Sequence, residues 1–194
     1  LRHGNEVIAS WMRHLRPDSL GNLAFDLPDR IAGLIESDSI GPVALSLRWS
    51  SGLSTVTVGQ PVSVDVTLSR GGYLWCFYLQ SDGRMLQLYP NPAHHMRTSD
   101  NWIKGGRTRR LPDPGLDRFR LVASKPAGTE LLKCIVTDRV LGGELPEALQ
   151  GRSIEPLPDG LQGRLVDIFR SFSGVAVSED SLFLTVVEPG AAFP

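Results

Sequence analysis

Apolar and polar residues alternate along much of the middle of the chain, a pattern typical of β-strands with one buried face. In the clearest strand every second residue is apolar: Val62, Val64, Val66 and Leu68. Similar patterns predict further strands around residues 43–47, 85–89, 118–124, 130–138 and 182–186. The sequence therefore predicts a protein that is mainly β.

Residues 73–79, Tyr-Leu-Trp-Cys-Phe-Tyr-Leu, depart from this alternation because both faces of the strand are apolar. Such a strand is typical of the centre of a sheet that is covered on both sides. Asp82 and Gly83 follow and predict a tight, primed two-residue hairpin turn, since glycine accepts the positive φ that such a turn needs. The return strand must end at Pro90, which cannot donate a ladder hydrogen bond.

Three segments carry apolar residues at helical spacing instead: residues 5–15, 28–37 and 160–173. We predict an antiparallel β-sandwich of immunoglobulin-like architecture over residues 42–140, with flanking helices at both ends. Residues 1–41 would form an N-terminal helical segment. Residues 141–194 would supply a proline-rich connection, a helix and a final strand near 182–188, packed on the same domain.

Charge and hydropathy argue against two classes of protein, those that bind nucleic acid and those that span a membrane. The formal net charge of −1 argues against a nucleic-acid-binding protein, and the sequence contains no apolar run of the roughly 18 residues needed to span a bilayer. The chain opens with Leu1-Arg2 and carries no signal-peptide pattern. We interpret it as a fragment of a longer protein.

Two cysteines, Cys76 and Cys134, lie in predicted strands 58 positions apart. Buried free thiols are one interpretation, because unpaired cysteine is among the most buried residue types. A disulfide between the two is the alternative, and the separation resembles that of the inter-sheet bridge of immunoglobulin domains.

Four stretches share an order with a known family: residues 72–92, from Gly-Tyr-Leu through Asp-Gly to Tyr-Pro-Asn-Pro; residues 100–106; the Leu-Pro pair at 111–112; and residues 126–138. Together they resemble the bacterial domain of unknown function 4384, over about residues 57–138. Tyr89 stands where members usually have Phe. The resemblance implies a part of a larger bacterial protein, beside kinase-like, caspase-like, envelope or secretion-associated regions, with no catalytic activity of its own.

The polar segment 91–115, predicted to be a loop, is the strongest candidate for a binding site. It carries an aromatic residue among basic ones: Arg97, Trp102, Lys104, Arg107, Arg109 and Arg110. Such a set suits an acidic protein surface better than nucleic acid, since the whole chain is not basic. The alternative is a solvated loop whose arginines pair with Asp113 and Asp117.

Sites for catalysis or metal binding are not predicted. His94 and His95 are adjacent, and no further ligand completes a metal site around them. The sequence has no Gly-x-Ser-x-Gly nucleophile motif and no phosphate-binding glycine loop. We therefore expect no enzyme, no cofactor and no metal.

The function expected from these observations is a non-enzymatic protein–protein interaction or assembly module, an adaptor in an envelope or secretion-associated bacterial assembly. The alternative is a small-ligand or glycan-binding sensor module of a cell-envelope protein, which would use Trp102. The sequence does not identify the compartment, and a periplasmic or envelope location is favoured over a cytoplasmic one.

Overall fold

The structure is a computed structural model and describes residues 42–93 and 101–190. Its strands are Leu45–Trp49 (β1), Thr55–Thr57 (β2), Pro61–Val62 (β3), Val64–Leu68 (β4), Gly72–Leu79 (β5), Met85–Tyr89 (β6), Trp102–Ile103 (β7), Thr108–Leu111 (β8), Leu121–Val122 (β9), Gly128–Thr137 (β10) and Val177–Val187 (β11). One short α-helix, Leu165–Arg170 (α1), and the 3₁₀ turns Gly142–Glu144, Glu147–Leu149 and Gln162–Arg164 complete the described elements. The predicted mainly-β class is confirmed.

The strands form three sheets. The largest has the order β2-β11-β10-β5-β6, and β7 pairs with β5 beyond the end of β6. A second sheet has the order β1-β4-β8, and β3 pairs with β9 in a small third sheet. The pairing is antiparallel except between β2 and β11, which run parallel, so the prediction of a wholly antiparallel arrangement was wrong for that pair.

One core lies between the large sheet and the three-stranded sheet. From the large sheet it takes alternate residues of β5, Leu74, Cys76 and Tyr78, and from the other sheet it takes Val66 and Leu68 of β4. All five side chains are buried. The alternating pattern of β4 therefore places its valines where the sequence predicted, in a half-buried strand.

A second core lies on the opposite face of the large sheet, where residues 141–172 cover the remaining β5 side chains. Trp75 and Phe77 point to this side, and the ring of Phe169 from α1 meets Trp75 edge-on at a centroid distance of 5.2 Å. The central position of β5, covered on both faces, is confirmed. The helix is shorter than predicted, since it begins at Leu165 after a 3₁₀ turn and ends at Arg170.

The hairpin between β5 and β6 has a longer turn than predicted. Gln80 N–H donates to the Arg84 carbonyl at 2.8 Å, which leaves three residues in the loop, and Gly83 has the positive φ of 91°. This is the pattern of a three-residue loop with a bulge, so the predicted two-residue primed turn was wrong. Tyr89 is the last residue of β6 before Pro90, as predicted.

Cys76 and Cys134 lie opposite each other in the neighbouring strands β5 and β10 and are joined by a disulfide. The bridge therefore connects two strands of one sheet and not two sheets. An immunoglobulin-like architecture is not confirmed.

The helices predicted at residues 5–15 and 28–37 lie outside the described residues. Within the residues that the structure describes, no helix has the length and apolar character to cross a membrane.

Candidate functional site

The segment 91–115, predicted to be a loop, contains two strands that belong to different sheets. β7 pairs with the first residues of β5 in the large sheet, whereas β8 pairs with β4 in the three-stranded sheet. The basic residues after Trp102 are thus divided between a turn and a strand. Arg97, His94 and His95 lie outside the described residues.

Trp102 combines exposure with a fixed position. Its side chain is 49% exposed, and its ring meets that of Tyr73 edge-on at 5.0 Å. The indole lies directly over Gly71, where a Cβ atom would come within 2.3 Å of Trp102 Cζ2. A larger residue at position 71 would displace the ring, so the Arg70-Gly71-Gly72 turn serves as its platform.

A cavity of about 650 Å³ opens beside the indole. Two cations, Arg70 and Lys104, line it. So do Gly71, in the turn before β5, and Gly105 and Gly106, in the turn after β7. The turn after β7 can approach the turn before β5 closely because position 105 is glycine. A Cβ atom at Gly105 would lie 2.4 Å from the Arg70 backbone.

Arg107 is exposed and directly follows Gly106, whose backbone N–H donates to the Leu68 carbonyl at 2.8 Å and ties this turn to the end of β4. We call Arg70, Trp102, Lys104 and Arg107 the Trp102 surface. Within the described part of the chain, no carboxylate forms an ion pair with any of its three cations.

Arg109 is held inside the fold. Only 16% of its side chain is exposed, and its guanidinium lies 3.2 Å from the fully buried carboxylate of Asp117 and 3.9 Å from that of Asp113. Asp117 also accepts a hydrogen bond from the Asp113 backbone N–H at 2.5 Å. This is the intramolecular pairing that the alternative interpretation predicted, so Arg109 is not available to a partner.

Arg110 points to the outer face of the three-stranded sheet, where its Nε donates to Asp65 at 3.0 Å. Arg48 and Ser50 also donate to Asp65. Burial by itself would raise the pKa of the Asp65 carboxyl, but hydrogen bonds from Arg110 and Ser50 outweigh it and lower the pKa below its ordinary value. Arg110 is thus engaged by Asp65, whereas the prediction placed it in a partner-binding loop.

A second cavity of about 670 Å³, which we call the proline cleft, lies beside the small third sheet. Pro61, Pro112 and Pro114 line it together with Arg118 and Arg120. Sequence reasoning missed this cleft and also missed Arg70. In the sequence, the proline-rich stretch Pro112–Gly115 was the signal for the cleft, and the Arg70-Gly71-Gly72 turn was the signal for Arg70. Neither stretch shows by itself which distant side chains the fold brings next to it.

Apart from Asp117, which lines the proline cleft, the buried ionisable side chains Tyr78, Glu130, Lys133 and Glu179 lie away from both cavities. Tyr78 donates its hydroxyl proton to Glu130, and burial, more than any other influence, raises the pKa of that carboxyl. On the other face of the sheet, Lys133 and Arg170 form ion pairs with Glu179, and burial lowers the pKa of Lys133. These groups hold strands and α1 together.

The described residues contain no group of three or more His, Cys, Asp or Glu side chains placed to hold a metal ion.

Comparison with known proteins gives one family. The family model described as Domain of unknown function (DUF4384) matches residues 55–139, from β2 to just past the end of β10. The match includes the whole Trp102 surface and every residue named for the proline cleft. No curated protein shows significant similarity to the chain. Residues 55–139 are therefore similar to the family of domain of unknown function 4384, which confirms the resemblance found in the sequence.

Proposed function

We propose that this chain is a non-enzymatic interaction module that binds an acidic surface of a partner protein through the Trp102 surface. The observation that carries the proposal is the half-exposed indole of Trp102 beside Arg70 and Lys104, with Arg107 exposed directly after the same glycine turn. None of these three cations has an ion-pair partner in the described residues.

The chemistry of this surface favours a protein partner with carboxylates. Tryptophan and arginine are the residues that most often dominate binding free energy at protein interfaces. Three cations concentrated on one patch of a chain with a net charge of −1 would steer an acidic partner to that patch. The fixed position of the indole also reduces the entropy lost on binding.

Two further observations support a structural role in an envelope or secretion-associated assembly. The buried ionisable groups Glu130, Lys133 and Glu179 line neither cavity, so they are not positioned to act on a bound substrate. The Cys76–Cys134 disulfide suits an oxidising compartment such as the periplasm, because disulfides are rare in reducing cytosol. An adaptor in such an assembly needs binding and no chemistry.

The test is a quantitative pull-down with three forms of the chain, using lysate of the organism that encodes it. The forms are the wild type, R70E/K104E/R107E and the matched control R118E/R120E, which reverses two exposed arginines elsewhere. We expect a stoichiometric partner to bind the wild type and the control and to be lost, by at least about tenfold, from the triple variant. Equal recovery on all three forms contradicts the proposal.

A glycan or small ligand is the second candidate, and the cavity of about 650 Å³ beside the exposed indole is the observation that favours it. Binding there would change Trp102 fluorescence. Titration with candidate sugars, with W102F as the reference for the remaining tryptophans, separates the two candidates. Saturable quenching that W102F abolishes, without any protein partner, would support the ligand-binding module.

A further inference from the structure

Charge is distributed unevenly between two segments of equal length. Residues 101–120 contain six basic and two acidic side chains, whereas residues 141–160 contain four acidic and one basic, although the whole chain is nearly neutral. The first segment contributes to the three-stranded sheet and the proline cleft. The second belongs to the layer that covers the opposite face of the large sheet. We call the surface that residues 101–120 contribute the positive side and the surface that residues 141–160 contribute the negative side.

The proline cleft on the positive side is a preformed apolar site with a cationic edge. Its prolines have a fixed φ, so its walls lose little conformational freedom when the cleft is filled. Arg118 and Arg120 are exposed, and in the described residues neither forms an ion pair. The carboxylate of Asp117 also lines the cleft but is buried against Arg109, which balances its charge.

The negative side presents an apolar residue next to carboxylates. Ile154 is 64% exposed, the largest exposed fraction among the large hydrophobic residues of the described ranges. Glu155 and Asp159 are exposed on the same segment, residues 153–159, which we call the acidic segment. Neither carboxylate forms an ion pair within the described chain.

The acidic segment is anchored within its length by Leu157, and a further hydrogen bond holds Gln150, three residues before the segment. Leu157 N–H donates to the Met85 carbonyl at 2.7 Å, and the Gln150 side chain donates to the Leu145 carbonyl at 2.8 Å. Ile154 is thus displayed on a short, anchored loop.

We propose that the proline cleft of one molecule binds the acidic segment of a second copy of this chain. Ile154 would enter the apolar cleft, and Glu155 and Asp159 would meet Arg118 and Arg120. The acidic segment thus offers an apolar side chain to the apolar walls of the cleft and two carboxylates to its positive edge. Both surfaces are exposed in the same molecule, so the contact joins two molecules head to tail, and repetition gives a chain or a closed ring.

This inference does not rest on the proposed function, because it uses neither Trp102 nor the cations beside it. Sedimentation equilibrium of the 194-residue chain over a range of concentrations tests it. The average mass of the wild type should rise with concentration. I154E should weaken the association by about tenfold or more, because it removes apolar burial from the contact and places a charge there.

Charge reversal gives the sharper form of the test. R118E/R120E and E155R/D159R should each remain monomeric, since each variant carries two faces of the same sign. An equimolar mixture of the two should recover association, because each face then meets an opposite charge on the other variant. K104E/R107E is the matched control and should associate like the wild type, whatever its effect on a partner protein. Circular dichroism of each variant establishes that it has folded.

Two results would overturn the inference. One is a wild type that stays monomeric throughout the concentration series. The other is a mixture of the charge-reversed variants that fails to recover association although both are folded. In neither case would the pull-down test of the Trp102 surface be affected.

Discussion

Lys104 and Arg107 differ completely in environment from Arg109 and Arg110, although all four lie within seven residues. Arg109 is held by the buried Asp117 and Arg110 by Asp65, so both stabilise the three-stranded sheet. Lys104 lines the cavity beside Trp102, and Arg107 follows it by three residues; both are exposed and have no carboxylate partner in the described residues.

The difference teaches that the role of a cation depends on the carboxylate that the fold brings to it. Arg109 and Arg110 are successive residues of β8, so their side chains point to opposite faces of the sheet. Arg109 meets Asp117 there, and Arg110 meets Asp65. The turn before β8 points its cations to solvent. A charge reversal that includes Arg109 would therefore damage the fold along with any binding site. Variants that test binding should change Lys104 and Arg107 and leave Arg109 and Arg110 intact.

The largest effect on stability is expected from D117A. Removing this fully buried carboxylate leaves the Arg109 guanidinium without its main partner, and loss of one member of a buried ion pair costs about 3–5 kcal/mol of unfolding free energy. Urea denaturation measures the change. D113A is the matched control and should cost about 1 kcal/mol, since that carboxylate is partly exposed and more distant. Equal losses for both would show that Asp117 does not anchor Arg109.

A smaller, pH-dependent effect is expected from R110Q. The pKa of Asp65 is lowered in the folded state, so its ionisation contributes stability above its ordinary value of 3.8, and that contribution is lost as pH falls through the folded pKa. R110Q should therefore lower the urea midpoint only modestly near neutral pH, since Arg110 is half exposed and solvent screens its pairing with Asp65.

The difference between wild type and R110Q should shrink below pH 3.8. Urea midpoints measured from neutral to acidic pH check this. A difference that is constant across the whole range would mean that packing, and not the charge on Asp65, accounts for it.

The smallest effect on stability is expected from K104E/R107E, within about 0.5 kcal/mol of the wild type, because exposed residues without partners contribute little to folding. Urea denaturation alongside D117A provides the comparison. A loss of more than about 1 kcal/mol would place these cations with Arg109 and Arg110 as structural residues.

The hydrophobic pattern was sufficient to predict the longer strands, because a strand's alternation reports directly which face is buried. It missed β7 and β8, short strands in the segment predicted to be a loop. It placed β4 correctly, and it identified β5 as the central strand from its two apolar faces. The turn before β6 was predicted less well: Asp82-Gly83 is compatible with several hairpin loops, and the residues on both sides decide among them.

The candidate site was predicted only in part. The sequence selected Trp102 and its basic neighbours, but it assigned Arg109 and Arg110 to the same surface and omitted Arg70. Pairing of Arg110 with Asp65 joins residues 45 positions apart, and the contact of Trp102 with Gly71 joins β7 to the turn before β5. Nothing in a local pattern signals such contacts, since each is created when strands from distant parts of the chain are brought together.

The sequence alone indicated the mainly-β class, most strands outside residues 91–115 and the resemblance of residues 55–139 to a known family, because these depend on local periodicity and on short motifs. Only the tertiary structure decided that Cys76 faces Cys134 within one sheet and that Arg109 and Arg110 are paired with aspartates. It also decided that Arg70 and Lys104 line a cavity beside a half-exposed indole. The physical reason is that charge pairing, burial and cavities depend on distances in space, and strand pairing sets those distances between residues far apart in the chain.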